Sequence, residues 1–192
     1  MEKLLEFLQS IHPLSEGLLK FLSDHLKYKE LSRKSYLLEA GQTCRHICFI
    51  ETGLLRCFYL HNGTEVCSWF MKEGDVIVSV ESFFNQKPSY ESIQAIEPCC
   101  VHYITHDELQ YAFTHFPEFN FTARVLTEKY YAMSEQRLFA IRMQRAPERY
   151  TYLLEKFPEL VLRVPSKYIA SYLGITEVTL STLKRKLANS SY

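Results

Sequence analysis

The residues with the clearest chemical capacity lie near the carboxyl end, in the run Pro165-Ser166-Lys167-Tyr168-Ile169-Ala170-Ser171-Tyr172-Leu173-Gly174-Ile175-Thr176, which continues through Glu177 to Lys186. Ser166 can cap a short helix whose Ile169 and Leu173 face inward. Gly174 supplies the positive φ that ends a helix in a tight turn. Thr176 can cap a second helix, with Leu180, Leu183 and Leu187 on one stripe. Ala170 is small where the two helices would approach most closely. The outward face of the second helix then carries Glu177, Thr179, Ser181, Thr182, Lys184 and Arg185. Hydroxyls there can reach base edges or phosphates, and the cations neutralise backbone charge. With Ser166, Lys167 and Thr176 these residues form a candidate double-stranded DNA surface on a helix-turn-helix unit.

Charge supports this reading. The chain of 192 residues carries 22 basic and 22 acidic side chains, so its formal charge is zero. From Arg163 onward, however, Arg163, Lys167, Lys184, Arg185 and Lys186 face a single acid, Glu177, and the remainder is acidic to the same extent. A basic end on a neutral chain could be a merely solvated face. Here it coincides with the helix pair, and the two signals are independent.

Other reactive side chains are less organised. Cys44, Cys48, Cys57, Cys67, Cys99 and Cys100 contain no Cys-x-x-Cys pair, and they read as reduced, buried thiols acting as small hydrophobes. Redox sensing or metal binding is the alternative. Seven histidines are scattered, and His102 and His106 sit on different predicted elements. Phosphate-loop, nucleophile-elbow and His-Glu-x-x-His patterns are absent, which argues against an enzyme. No catalytic or metal-ligating residue is assigned, and the cofactor is left unknown.

The elements that must position the cationic unit can be read from periodicity. Leu4, Leu5, Phe7, Leu8 and Ile11 predict a first helix, ended by Pro13. Ser15 can cap a second with Leu18, Leu19, Leu22 and Leu26. Short strand-like runs follow at residues 36–38, 46–50, 54–60, 65–70, 76–80, 93–96 and 100–104. They predict an antiparallel sandwich or barrel. Asn62-Gly63 between two apolar runs marks a type I′ hairpin. Thr105 or Asp107 can cap a helix through Phe113. From Pro117 to about Met143 neither Gly nor Pro intervenes, so one helix of about 40 Å is expected. Phe119, Ala123, Leu126, Tyr130 and Met133 form an a/d seam along it, suited to a partner helix. Phe121, Val125, Ala132 and Phe139 form a second stripe that can pack on the sheet. Pro147 starts another helix.

At 47% hydrophobic and 23% charged residues, the chain has a globular composition. No apolar run reaches the roughly 18 residues of a membrane span. The acidic start, Met1-Glu2-Lys3-Leu4-Leu5-Glu6, is unlike a signal peptide. A cytoplasmic location is expected.

Order and motifs together resemble the Crp/Fnr family of bacterial transcription regulators, and most of all its Bacteroidetes-type branch. The resemblance covers essentially the whole chain. It rests on the segment from Gly41 to Arg56, on Glu81-Ser82-Phe83-Phe84, Pro117-Glu118-Phe119, Leu126-Thr127-Glu128-Lys129-Tyr130, and the run Tyr168 to Thr176. It implies an α+β chain: a cyclic-nucleotide-binding-like jelly-roll sensor domain over 1–115, a long dimerisation helix over 116–143 and a helix-turn-helix domain over 144–192. It further implies a homodimer on a palindromic operator, with a small-molecule effector and RNA polymerase as further partners and no membrane. The effector pocket would involve Glu81, Ser82, Phe83, Tyr90, Glu91 and Ser92. Two departures from the family pattern matter. Tyr90-Glu91 stands where cyclic-AMP-binding members place Arg-Ser, so the expected effector is not cyclic AMP. In the recognition helix, Glu177 and Thr182 take Arg positions and Val178 a Glu position, so base readout should differ. The oxygen-sensing branch uses an N-terminal cysteine cluster, and no cysteine precedes Cys44. The alternative function is a ligand-binding or interaction module of the same fold without specific DNA binding.

Overall fold

The computed structural model describes residues 1–190. Its elements are α1 (Glu2–Ile11), α2 (Glu16–His25), β1 (Lys27–Leu31), β2 (Tyr36–Leu38), β3 (His46–Thr52), β4 (Leu54–His61), β5 (Thr64–Lys72), β6 (Val76–Ile77), α3 (Val80–Asn85), β7 (Glu91–Ala95), β8 (Cys99–Thr105), α4 (His106–His115), α5 (Pro117–Met143), α6 (Ala146–Lys156), α7 (Pro158–Arg163), α8 (Ser166–Leu173) and α9 (Glu177–Ser190). The strands form two four-stranded sheets, ordered β1-β8-β3-β6 and β2-β7-β4-β5. In the first, β8 runs antiparallel to both β1 and β3. This is the expected α+β jelly roll followed by a long helix and short helices. Among the described residues no helix is long and apolar enough to cross a membrane.

The chain divides into two compact units. The first comprises 1–57 and 70–130, the second 58–69 and 131–190 of the described residues. These divisions differ from the expected boundaries at 115/116 and 143/144. Helix α5 contributes to both units, and the tip of the β4–β5 hairpin belongs to the second.

In the first unit, alternation buries Leu54, Ile93, Val101 and Ile50, with Leu18 and Leu22 of α2 completing the core. Ser15 caps α2 by accepting the Leu18 amide at 3.2 Å. Thr105 caps α4 in a reciprocal box with Glu108, satisfying two amides that a helix start leaves unpaired. The first half of α5 is anchored where the Tyr130 hydroxyl accepts the Val76 amide at 2.8 Å and meets the Asp75 carboxylate. Burial pushes the Tyr130 phenol up to about 12 and raises Asp75 above its ordinary value. Five of the six cysteines are buried and none forms a disulfide. Burial pushes the Cys48 thiol up to about 12 and Cys99 up to about 11, which suits packing rather than nucleophilic chemistry.

In the second unit, Asn62 (φ 50°) and Gly63 (φ 75°) make the hairpin turn the dipeptide predicts. Ser171 of α8 then pins the hairpin. Its hydroxyl accepts the Cys67 amide at 2.9 Å and donates to the Glu65 carbonyl at 2.9 Å. Tyr150, Leu153, Leu160, Ile169, Leu173 and Leu180 make the core of this unit.

Candidate nucleic-acid interface and effector cassette

The helix pair α8–α9 is built from its turn outward. Gly174 has φ 65°, and its amide closes the last turn of α8 onto Ala170 and Ser171. The Ile175 amide reaches the Ala170 carbonyl at 3.0 Å. A left-handed residue at this point costs an ordinary side chain about 1–2 kcal/mol and glycine nothing. Thr176 caps α9 as expected, its hydroxyl accepting the Thr179 amide at 3.1 Å. Ser166 does not cap α8. Pro165 holds the cap position and α8 begins at Ser166. The Ser166 hydroxyl instead accepts from Lys184 Nζ at 3.0 Å, linking the start of α8 to α9.

Burial sorts the faces of α9. Leu180 is 1% exposed, Leu183 half-buried and Leu187 exposed. Thr176, Glu177, Thr179, Ser181 and Arg185 are exposed, as are Ser166 and Lys167 on α8, while Thr182 and Lys184 are half-buried. Thr182 donates back to the Val178 carbonyl at 3.0 Å. Val178 is 77% exposed, an apolar methyl pair held in solvent beside the hydroxyls. This face offers hydroxyls, two cations and an apolar contact on one rigid helix.

The effector residues are arranged differently. Residues 80–85 form α3 instead of a strand end followed by a loop. Ser82 is buried, accepts the Cys44 amide at 2.9 Å and donates to the Lys87 carbonyl at 2.5 Å. Ser92 is buried and accepts the Ala40 amide at 3.0 Å. Phe83 is in the core, edge-on to Phe84 and His106. Glu81 pairs with Lys87 at 2.5 Å on the surface, Tyr90 is 63% exposed, and Glu91 opens β7 half-buried. Glu81, Ser82 and Phe83 lie on α3 and Glu91 and Ser92 on β7, and both serine hydroxyls are committed to backbone groups.

Two buried polar features escaped the sequence reading. Arg56 of β4 is 1% exposed and bonds Gln94 Oε1 through Nε (3.0 Å) and Nη2 (2.7 Å). Ser79 and Ser89 share a buried hydroxyl contact at 2.9 Å. The signal for Arg56 was a cation within Leu54-Leu55-Arg56-Cys57-Phe58, where a charge is rare unless partnered.

Along the expected seam of α5, burial is complete only at Phe119. Phe119 is buried and packs on Phe113, with ring centroids 5.7 Å apart. Ala123 and Leu126 are half-buried, Tyr130 is tied to Val76, and Met133 lines a cavity of the second unit. The second stripe is the outward one: Phe121 is 42% and Phe139 58% exposed, Ala132 is exposed and Val125 half-buried.

Residues 28–115 match the family model of the cyclic nucleotide-binding domain. The chain as a whole shares its fold with solved bacterial proteins. FixK2 from Bradyrhizobium japonicum is 19% identical, with 86% of each chain covered and a TM-score of 0.75. The c-di-GMP responsive global regulator CLP from Xanthomonas campestris is 14% identical over 92% of this chain and 93% of that one, at a TM-score of 0.73. A CooA double mutant from Carboxydothermus hydrogenoformans is 17% identical over 92% and 87%, at 0.71. No curated protein matches the sequence.

Proposed function

We propose that the chain is a cytoplasmic transcription regulator of the Crp/Fnr type that binds an inverted-repeat DNA operator as a homodimer. The observation that carries this is the exposed α9 face, set by a Gly174 turn and a Thr176 cap, with Lys184 and Arg185 beside it. Lys167, Lys184 and Arg185 contact phosphates. Thr179 and Ser181 reach base edges, and the Val178 methyls suit the methyl group of thymine. The match of residues 28–115 to a cyclic nucleotide-binding domain, and the shared fold with solved regulators, support the same reading.

The second copy packs along the outward stripe of α5, through Phe121, Val125, Ala132 and Phe139, instead of the Phe119–Met133 seam. Exposed apolar side chains recurring on one face of a long helix are what a partner helix buries. A two-fold dimer places its recognition helices about one DNA turn apart. The cassette of residues 79–92 binds an effector other than cyclic AMP, with Tyr90 and Glu81 as the accessible groups.

The test is selection of bound duplexes from a random DNA pool by the purified full-length protein. The expected product is an inverted repeat with half-sites about 10 base pairs apart. No enrichment over background overturns the regulator reading in favour of an interaction module that does not read DNA.

A further inference from the structure

The second unit contains a cavity of about 50 Å³ that is separate from both the α9 face and the 79–92 cassette. A water needs roughly 10–15 Å³ on this measure, so the space holds about three or four waters or one phosphate-sized group. Its walls include the aromatic rings of Trp69, Tyr152, Phe157 and Tyr172 and two guanidinium groups, Arg137 and Arg149. None of the lining residues is an acid.

Both arginines are partly occupied by backbone carbonyls. Arg137 donates through Nε to Ser68 (3.3 Å) and through Nη2 to Tyr172, and its guanidinium carbon lies 3.5 Å from the centroid of the Tyr172 ring. Arg149 donates through Nε to Leu173 (2.9 Å) and through Nη1 to Gln144 (2.5 Å). They thereby neutralise the carbonyl end of α8. Each keeps one terminal nitrogen with no protein acceptor among the described residues. Burial, with the charge of Arg149 acting in the same direction, lowers the proton affinity of Arg137. Two like charges in one partly enclosed space are unfavourable without a counter-charge.

The side chains of Ser68 and Gln144, whose carbonyls hold the two arginines, present Oγ and Oε1 buried without a hydrogen-bond partner. Ser68 has a hydroxyl proton to give. Gln144, turned over about its amide, would present its NH₂. Neither residue is among those that line the cavity, so they adjoin the two arginines through the backbone.

We infer that this cavity binds a phosphate group, held between the free nitrogens of Arg137 and Arg149. Planar guanidinium forks suit an oxyanion in both geometry and charge. The group is either free phosphate or the terminal phosphate of a small metabolite.

The chain supplies its own reporter, because Trp69 is its single tryptophan and lies in the cavity wall. Full-length protein without DNA is titrated with inorganic phosphate, with glycerol phosphate and with chloride, at a constant ionic strength of about 0.15 M. Phosphate is expected to give a saturable change in Trp69 emission below about 10 mM, and chloride none. Tighter binding of glycerol phosphate identifies a metabolite as the source, and binding of inorganic phosphate alone identifies the free ion. Arg149→Gln should weaken the midpoint about tenfold or more. Ala140→Leu, which fills the space and keeps both arginines, should abolish the change while the circular dichroism stays native. An unresponsive wild-type protein, or variants that titrate like it, overturns the assignment. Because no DNA is present, either result leaves the operator-binding proposal to its own test.

Discussion

The two polar regions of this chain use the same side-chain chemistry in opposite ways. In the 79–92 cassette, serine hydroxyls are buried and bonded to backbone amides and carbonyls. On α9, the Ser181 hydroxyl stands in solvent and the exposed Thr179 hydroxyl is shared only with that of Thr176 at 2.9 Å, on a helix whose Leu180 is buried. A buried hydroxyl with its hydrogen bonds made is structure, because removing it leaves a desolvated partner unsatisfied. An exposed hydroxyl on a rigid element remains available to a ligand. Residue type alone does not distinguish a site from a scaffold; the bonds already made do.

The comparison can be broken most sharply at the cations of α9. Replacing both Lys184 and Arg185 with Ala should weaken binding to every duplex alike. Each lost phosphate contact lowers the salt slope by about one, so at 0.15 M salt the pair is worth roughly thirtyfold in affinity. Fluorescence anisotropy across a salt series reads this; an unchanged slope removes these residues from the interface. Ser82→Ala should destabilise the protein by about 2 kcal/mol, because the buried Cys44 amide loses its acceptor. Ser181→Ala should leave stability within about 0.5 kcal/mol while altering sequence preference. Urea denaturation of both variants compares the regions directly, and equal costs would erase the distinction drawn here. Gly174→Ala tests the turn. An added Cβ would meet only Ile141 and Arg149 atoms at 3.9 and 4.0 Å, so backbone strain alone operates and the loss should be about 1 kcal/mol.

The smallest expected effect is a pH slope. Burial raises Asp75 above its ordinary value of 3.8, so the folded state holds this proton more tightly than the unfolded state. The sign follows: the contribution is fully present below the unfolded value and is lost as pH rises through the folded one. Asp75→Asn should flatten the change in urea midpoint in the window just above pH 3.8 while still offering an oxygen to the Lys72 amide, which Asp75 accepts at 3.1 Å. A slope identical to wild type would show that Asp75 does not titrate differently on folding.

Much of this architecture was legible because local rules and tertiary structure agree. Asn62-Gly63 and Gly174 take a left-handed backbone that few other residues accept, and Thr176, like Thr105 (one of two caps left open with Asp107), offers a side-chain oxygen to an amide of the helix start. Where local rules were silent, reading failed. β1 has exposed Tyr28, Lys29 and Glu30 on a sheet edge and so lacks alternation. α3 has six residues, too few for a helical period, and is held by bonds that close 82 to 44 and 87. The two stripes of α5 are similarly apolar; the Tyr130 bond to Val76, distant in sequence, decides which one turns inward. The arginine cavity draws on residues 69, 137, 149 and 172, which no sequence window unites.

The pin formed by Ser171 has a further consequence. β5 is the outermost strand of its sheet, so its backbone would ordinarily stand as a template for recruiting another chain. By filling one amide and one carbonyl of that margin, a single hydroxyl on α8 works as a stopper against fibre-like stacking. That edge is thereby closed at Glu65 and Cys67, within the hairpin tip of the second unit.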